Sequence, residues 1–468
     1  MTALPIIKAI PYRDPLAAFA PLAADPSAIF LDSALKGESG RFSYIAANPF
    51  RSIRCTPYPW TVTIDGRPIQ EDAFTAVAHE LARFPIERPR DAPVPFLGGA
   101  VGFFSYELGG VLETLPIPKS TPYPWDMVIG LYDVIAAFDL KKRQAWVISS
   151  GFPKSEQQAR LHRAENRAQN MLEILGTEPL PPTHLKPTAS WRCEISKETY
   201  KSSVSKAIEA TYAGDIYQAN FSQRFLADAP ADMKPFETYR HLREGSPAPF
   251  SAFVNAGDNM HILSASPERF LRVSPERNVE SRPIKGTRAR GTTRETDEAL
   301  ADELRKSPKD RAENLMIVDL LRNDLSRVCQ PGTVSVPILC RLETYPAVHH
   351  LVSTVTGALQ QDKISMDLLR AAFPGGSITG APKIKAMEII HDLEISARGP
   401  YCGTIIWLGF DGTMDSSIVI RTIVINEKTA VAQAGGGVVA ESDSMQEYEE
   451  SLIKAQPLLN AFERVGAQ

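Results

Sequence analysis

Near its C-terminal end the chain carries two runs of strand-forming residues, 402–410 and 415–426, joined through Asp411-Gly412. A two-residue Asp-Gly loop accepts the positive φ values of a tight hairpin, and its twist suits antiparallel neighbours. The runs are therefore predicted to pair antiparallel, with 429–434 returning as a third strand. Earlier runs at 127–138 and 144–150, joined through Lys141, Lys142 and Arg143, carry the same signal, as do 250–256 and 261–265. Helical spacing lies between them. Ser155 with Gln158 reads as a capping box for a helix burying Leu161, Ala164, Ala168, Met171, Leu172 and Leu175. Ser196 is predicted to cap a helix with Tyr200, Val204, Ile208 and Tyr212 on one face and Gly214 as its stop. Further helices are expected at 310–328, 382–394 and 445–463. Antiparallel strand pairs with interspersed helices define an α+β class, with sheets packed together, and argue against a doubly wound parallel sheet.

The segment TEPLPPTHLKPTAS (177–190) holds four prolines and no periodicity, as a linker would. It divides the chain into 1–176, a Pro-rich linker 177–194, and 195–468. Length and composition fit this plan: 468 residues, 43% hydrophobic and 23% charged, can bury a large core. A net charge of −4 gives no basic field for nucleic acid or anionic lipid, so neither is an expected partner. No run reaches the ~18 apolar residues of a membrane span, and Pro5 and Pro11 interrupt the start where a signal peptide would be apolar. The five scattered cysteines lack zinc-type spacing, and a reducing cytoplasm is the expected compartment.

Four places could carry chemistry. SRPIKGTRARG (281–291) sets Arg282, Lys285, Arg288 and Arg290 close together. It is either a solvated basic loop or, if burial and neighbouring guanidinium groups lower the lysine pKa, the seat of a nucleophilic Lys285. PGGSITGAPK (374–383) has the G-x4-G spacing of a phosphate loop but continues with Ala381-Pro382 in place of Lys and Ser/Thr. What remains is a tight turn, or a glycine-lined helix start offering N–H groups to a carboxylate or phosphate. Asp310 with Glu313, and Glu447 with Glu450, each lie one helical turn apart. They are solvated faces, Glu450 pairing with Lys454 at i,i+4, unless both helices point at one cleft and offer oxygen ligands to Mg²⁺. His349 and His350 would point to opposite faces of an extended strand, leaving one of them at most for a site.

In order along some 240 residues stand GDIYQANFSQRF (214–225), SASPERF (264–270), RPIKGTRARG (282–291), KDRAENLMIVDLLRNDLSRV (309–328), HHLVS (349–353), FPGGSITGAPKIKAM (373–387), DSSIVIRT (415–422), QAGGGVVAESD (433–443) and EYEESLIKA (447–455). This series resembles the chorismate-utilising enzymes, most closely their aminodeoxychorismate-forming branch. Before residue 195 the likeness rests on FLDSA (30–34) and GGAVGFFSYELG (98–109). The resemblance implies a composite two-layer β-sandwich with flanking helices and chorismate buried between its layers. It implies Glu313 and Glu450 as Mg²⁺ ligands with Glu447 beside them, and substrate contacts from Ser377, Thr379, Tyr401, Arg421, Gly437 and Lys454. Glu268 matches the general acid, Lys285 the nucleophile, and His350 joins the catalytic candidates.

Branch differences imply the reaction. Anthranilate synthases read PIAGT where this sequence reads PIKGT, and the isochorismate and salicylate branches place a water-activating lysine at the position of Gln218. The implied activity is amination of chorismate at C4 with ammonia, on the route to para-aminobenzoate and folate. With no glutaminase or lyase region matched, the resemblance implies a separate glutamine amidotransferase subunit and a separate downstream lyase. FLDSA resembles a tryptophan-binding segment, making Asp32 and Ser33 candidates for such a site, with Asp32 where the usual pattern has Glu. The alternatives are an anthranilate synthase component and a catalytically silent chorismate-binding subunit.

Overall fold

A computed structural model of the protein describes residues 4–37, 39–177, 190–230, 233–345 and 348–463. The core of the Pro-rich segment, 178–189, lies outside the described residues. Two sheets, each of 12 strands, dominate. The first runs Ile6–Ile10, Gln144–Ser149, Val134–Asp139, Phe42–Ala46, Ile29–Asp32, Phe250–Gly257, Met260–Ser266, Thr422–Asn426, Thr429–Val438, Gln218–Asp228, Arg192–Cys193, with Gly380–Ala381 also on the Gln218–Asp228 strand. The second runs Ile284–Ala289, Val348–Ala358, Asn278–Ser281, Arg269–Val273, Met414–Ile418, Thr404–Gly409, Gly99–Phe104, Met127–Tyr132, Arg51–Cys55, Val62–Ile64, Arg67–Ile69, with Ser335–Thr344 on the Val348–Ala358 strand. Both sheets draw strands from either side of the Pro-rich segment.

The inner faces share one core. Val254, Ile262, Val424 and Val431 from the first sheet belong to the same buried cluster as Val101, Ile129, Leu271 and Ile406 from the second. On its outer face the first sheet is covered by helices: Met171, Tyr239, Leu458 and Phe462 pack on Val147, Phe253, Leu263 and Ile425. Helices Ala73–Ala82, Pro308–Ser326 and Ser365–Ala372 add Phe74, Ile317 and Leu369 to the core that the second sheet shares. The architecture is the α+β sandwich with flanking helices. No helix among the described residues is long and apolar enough to cross a membrane.

The hairpin forms, Thr404–Gly409 pairing with Met414–Ile418, but through a loop longer than two residues in which Gly412, at φ +82°, and not Asp411 takes the positive φ. Ser196 caps Lys197–Tyr212, and Gly214 follows at φ +83°. Two strand readings need correction. The run 127–138 breaks at Asp133 into Met127–Tyr132 of the second sheet and Val134–Asp139 of the first. The run 415–426 likewise breaks between Ile418 and Thr422. A run buried on both faces has no alternation to show where it changes sheets. Glu156, not Ser155, caps the Gln157–Gly176 helix, accepting from the N–H groups of Gln158 and Ala159. Leu161 and Tyr212 turn outward, at 41% and 75% exposed.

Asp133 marks the first of these two breaks. Its side chain is fully buried and pairs with Arg167 at 3.0 Å and Arg163 at 3.4 Å, both on the Gln157–Gly176 helix. Removing one partner of a buried ion pair strands the other charge. Asp133→Ala should lower stability by about 3 kcal/mol in urea denaturation. A loss well below about 1 kcal/mol, the range of a surface pair, would show that the crossing does not depend on it.

Candidate active site

One further crossing lies beside the break at 418–422. The chain passes from the first sheet to the second between Ser266 and Arg269, and back between Ile418 and Thr422. Ser266 Oγ donates to Ile418 O at 2.6 Å, Ile418 N donates to Glu268 O at 3.2 Å, and Ala265 N donates to Arg421 O at 3.0 Å. Glu268 and Arg421 are thereby presented at one seam. Arg421 has φ +52°, away from strand geometry, and its Nη1 donates to Lys454 O on the final helix at 3.0 Å.

Burial lifts the Glu268 carboxyl to about 7, against the opposing pull of a hydrogen bond from Ser377, the Lys285 ammonium and the Ile284 backbone N–H. Lys285 lies on the edge strand Ile284–Ala289, not on a solvated loop. Gly286, at φ +78°, makes a bulge opposite the Leu351 and His350 pair, which re-aims the flanking side chains. Burial pushes the Lys285 ammonium below its ordinary value, while Glu313, Glu268 and Glu450 pull it up and Lys454 pushes it further down. The neighbouring guanidinium groups, expected to depress it, are paired elsewhere: Arg282 with Glu343, Arg288 with Glu303 and Asp310, Arg290 with Asp297.

The two acidic pairs resolve differently. Asp310 is committed to Arg288, so of the first pair only Glu313 faces Lys285. Both members of the second pair reach the cleft. Glu447 is buried, accepts from Ser442 Oγ at 2.7 Å and lies 3.8 Å from Lys309; Glu450 pairs with Lys454 at 2.6 Å. Burial raises Glu447 and Glu313, whereas in Glu450 Lys454, Lys309 and Lys285 outweigh the upward push of burial. The glycine run beside them has a physical reason. A Cβ on Gly436 would stand 3.0 Å from Glu447 Oε2 and 3.5 Å from Glu450 Oε1, and one on Gly437 would stand 2.7 Å from Gln218 Nε2.

Glu447 and Glu450 thus converge on a point that a side chain would fill, and Glu313 feels the charge of Glu450. Among the described residues no group of three or more His, Cys, Asp or Glu is arranged to hold a metal by itself. Mg²⁺ asks for less, since one or two carboxylates completed by water and substrate oxygens suffice. The donor set fits that ion.

Ser377 and Thr379 sit in the turn around Gly376–Ile378. Ser377 faces Glu268, whereas the Thr379 hydroxyl donates back to Gly375 O at 3.0 Å and braces the turn. The helix that follows, Lys383–Leu393, starts after Pro382. Tyr401 is held by burial with its hydroxyl well above the ordinary range and contributes to the field at Arg421. His350 bonds Thr287 Oγ1 through Nδ1 at 2.9 Å, and burial followed by Arg421 pushes it down to about 4, so it is neutral at pH 7. His349 instead bonds Asp297 at 2.9 Å, away from this group. Gln218 is fully buried, and neither side-chain amide atom has a hydrogen-bond partner among the described residues.

Asp32 and Ser33 lie elsewhere. They line a cavity of about 250 Å³ with Tyr44, Phe250, Arg269 and Trp407, and none of the catalytic, substrate-contact or metal-ligand candidates above lines it. The Asp32 carboxylate is committed to Arg243 at 2.5 Å, Tyr239 at 3.1 Å and Ser43 at 3.2 Å; Ser33 Oγ donates to Phe42 O at 2.7 Å. Sequence reasoning missed Lys309, Asn220 and the Glu394–Arg398 pair. Only an unaccounted Arg within SARGPYCG (396–403) hinted at the last.

Residues 28–460 match the family described as chorismate binding enzyme, and the chain belongs to that family. It is similar to aminodeoxychorismate synthase component 1 of Klebsiella aerogenes, 40% identical over 466 residues that cover 98% of this chain and 99% of the relative. It is also similar to anthranilate synthase component 1 of Bacillus caldotenax, at 38% identity over 96% and 92% of the two chains. Among solved structures, anthranilate synthase component I from Streptococcus pneumoniae superposes with a TM-score of 0.80 at 32% identity, covering 91% of this chain and 93% of that one.

The raised Glu268 carboxyl has a stability consequence. It keeps its proton in the folded chain between pH 4.5 and about 7, where the unfolded chain has lost it, so its contribution is complete below pH 4.5 and lost as pH rises through 7. Glu268→Gln, a permanently neutral isostere, should be more stable than the native chain above pH 7, by up to about 3 kcal/mol, and equal to it near pH 4.5. Denaturation midpoints with one common pH dependence would overturn this reading of Glu268.

Proposed function

We propose that the chain aminates chorismate at C4 to give 4-amino-4-deoxychorismate, using ammonia and Mg²⁺, on the route to para-aminobenzoate. The observation that carries this reading is Lys285, half-buried on its edge strand within electrostatic reach of Glu268, Glu313 and Glu450. The shifts at Lys285 and Glu268 run in the directions the route needs. Burial favours the neutral lysine, whose lone pair attacks C2 of the ring. The Glu268 carboxyl, protonated up to about pH 7, gives its proton to the departing C4 hydroxyl, which leaves as water. Ammonia then forms the C–N bond at C4, the ring double bond shifts back, and the Lys285 amine is expelled from C2. The proton released from the attacking nitrogen can return to Glu268.

Arg421 and Lys454 supply fixed positive charge for substrate carboxylates, and neutral His350 adds no third cation beside Arg421. Glu313 and Glu450, with Glu447 beside them, would hold Mg²⁺, which when bound neutralises their charge and holds a carboxylate of the substrate. The Klebsiella relative's name, component 1, supports a second component. We take it to be a glutamine amidotransferase that delivers ammonia, with pyruvate elimination left to a separate lyase. Five free cysteines suit a reducing cytoplasm.

The purified chain with chorismate, Mg²⁺ and ammonium at mildly alkaline pH should form 4-amino-4-deoxychorismate, identified by mass and chromatography against standards. Lys285→Ala should abolish most of that product while chorismate still binds. Anthranilate as the sole product of the native chain would replace this reading with the anthranilate synthase one, and unreacted chorismate would favour a silent binding subunit. Glu313→Gln and Glu450→Gln should each lower turnover by about tenfold or more and raise the Mg²⁺ concentration needed for half-activation. Unchanged Mg²⁺ dependence in both would remove these carboxylates from the metal site.

A further inference from the structure

Behind the Ser377 turn lies an ion pair that none of the roles above uses. Arg398 is 2% exposed and Glu394 6%, and the two meet through Nε to Oε2 at 2.8 Å and Nη2 to Oε1 at 2.7 Å. Glu394 is fixed from its other side by Ser222, whose N and Oγ donate to Oε1 at 3.0 and 2.6 Å. The remaining guanidinium donors are aimed at backbone. Nη1 donates to Ile378 O at 3.0 Å and Nη2 to Asn220 O at 2.6 Å. Tyr106 covers the guanidinium face, with its ring centroid 4.6 Å away.

Asn220 completes the grip. Its Nδ2 donates to Ser377 O at 3.2 Å and Thr379 O at 3.3 Å, and its backbone N donates to Thr379 O at 2.8 Å. Three successive carbonyls, of Ser377, Ile378 and Thr379, are therefore tied down by Asn220 and Arg398. The Ser377 side chain on this turn faces Glu268 and lowers its pKa.

We propose that Arg398, held by Glu394, is a positioning residue for the acid step, fixing the 376–379 turn with Asn220 so that Ser377 Oγ meets the Glu268 carboxyl. This rests on the reading of Glu268 as general acid. Arginine suits the task because its planar fork serves a carboxylate and two carbonyls at once, which a lysine ammonium cannot. A buried pair of this kind is poor value for stability, since apolar residues of similar volume often do as well, so a geometric role accounts for the polar choice.

The direction of the effect follows from what surrounds Glu268. Lys285 faces it from the edge strand with the Ile284 N–H, Ser377 from the turn, and the Cys402 thiol from the segment after the ion pair. Burial holds that thiol up at about 12, so it stays neutral through the assay range. The Ser377 hydrogen bond pulls the Glu268 pKa down. Losing it lets the acid keep its proton to higher pH, and the alkaline limb of the pH–rate profile moves upward.

The test compares kcat and KM for chorismate, at constant free ammonia, for the native chain, Glu268→Gln, Ser377→Ala, Arg398→Lys, Asn220→Ala and the double variant Ser377→Ala with Arg398→Lys. Expected for Arg398→Lys and Asn220→Ala is a fall in kcat of about ten- to a hundredfold with little change in KM. The alkaline limb should move upward as in Ser377→Ala, and the double variant should be scarcely worse than Ser377→Ala alone. Native turnover that survives Glu268→Gln would overturn the general-acid reading, whatever Arg398 does. If Glu268→Gln is inactive but the alkaline limb stays in place in Arg398→Lys and Asn220→Ala, or the Ser377 and Arg398 effects multiply, the positioning proposal is overturned. Asn220→Ala leaves the ion pair intact and decides the matter if Arg398→Lys does not fold.

Discussion

The site depends on the seam where two chain crossings are hydrogen-bonded to each other. Ser266, fully buried, donates to Ile418 O, and the backbone bonds Ile418 to Glu268 and Ala265 to Arg421 lie on either side. Breaking such a contact leaves polar groups stranded in an apolar interior, at about 1–3 kcal/mol each. The seam therefore fixes how the two sheets sit where the site is built. Once it is closed, Glu268 and Arg421 have their places by backbone geometry alone. The second sheet then presents Lys285 from its edge strand, and the final helix, laid over the first sheet, presents Glu447, Glu450 and Lys454.

Charge in the cleft is interleaved rather than segregated. Lys285 lies among Glu268, Glu313 and Glu450, and Lys309 approaches Glu447 from the start of the Pro308–Ser326 helix. Burial drives acids and bases toward their neutral forms, while each opposite neighbour restores charge. The balance comes out differently at each position. Glu450, about half exposed and paired with Lys454, falls below its ordinary value, whereas Glu268, sealed at the seam, rises to about 7. One cleft thus holds a carboxylate fit for a cation and a carboxylic acid fit to give up a proton.

Local signals were readable where a single residue type has a single physical use. Gly412 in the hairpin loop, the Ser196 cap with Gly214, and the Glu450–Lys454 spacing all behave as their chemistry dictates. The crossings at 133 and 419–421 were not readable, because strands buried on both faces give an unbroken apolar run whichever sheet they join. The family motifs marked Glu268, Lys285, Glu313 and Glu450. Helical spacing by itself gives Asp310 and Glu313 equal standing; the resemblance points to Glu313, and the structure leaves Asp310 paired with Arg288. Glu394 and Arg398 fail for the opposite reason: a Glu and an Arg four residues apart look like a surface pair, and nothing in the spacing shows that both are buried under Tyr106.

Near-equal similarity to relatives named for aminodeoxychorismate and for anthranilate synthesis means that the frame does not choose the reaction; side chains within it must. Lys285 acts on two levels. On the proposed route it is the nucleophile. As a cation, for the fraction that is protonated, it pulls the Glu268 carboxyl down from the still higher value that burial would impose. An alanine in its place would remove the nucleophile and also leave the acid holding its proton more tightly, which slows transfer to a leaving hydroxyl. On the proposed route, one substitution at residue 285 therefore changes the acid and the nucleophile together.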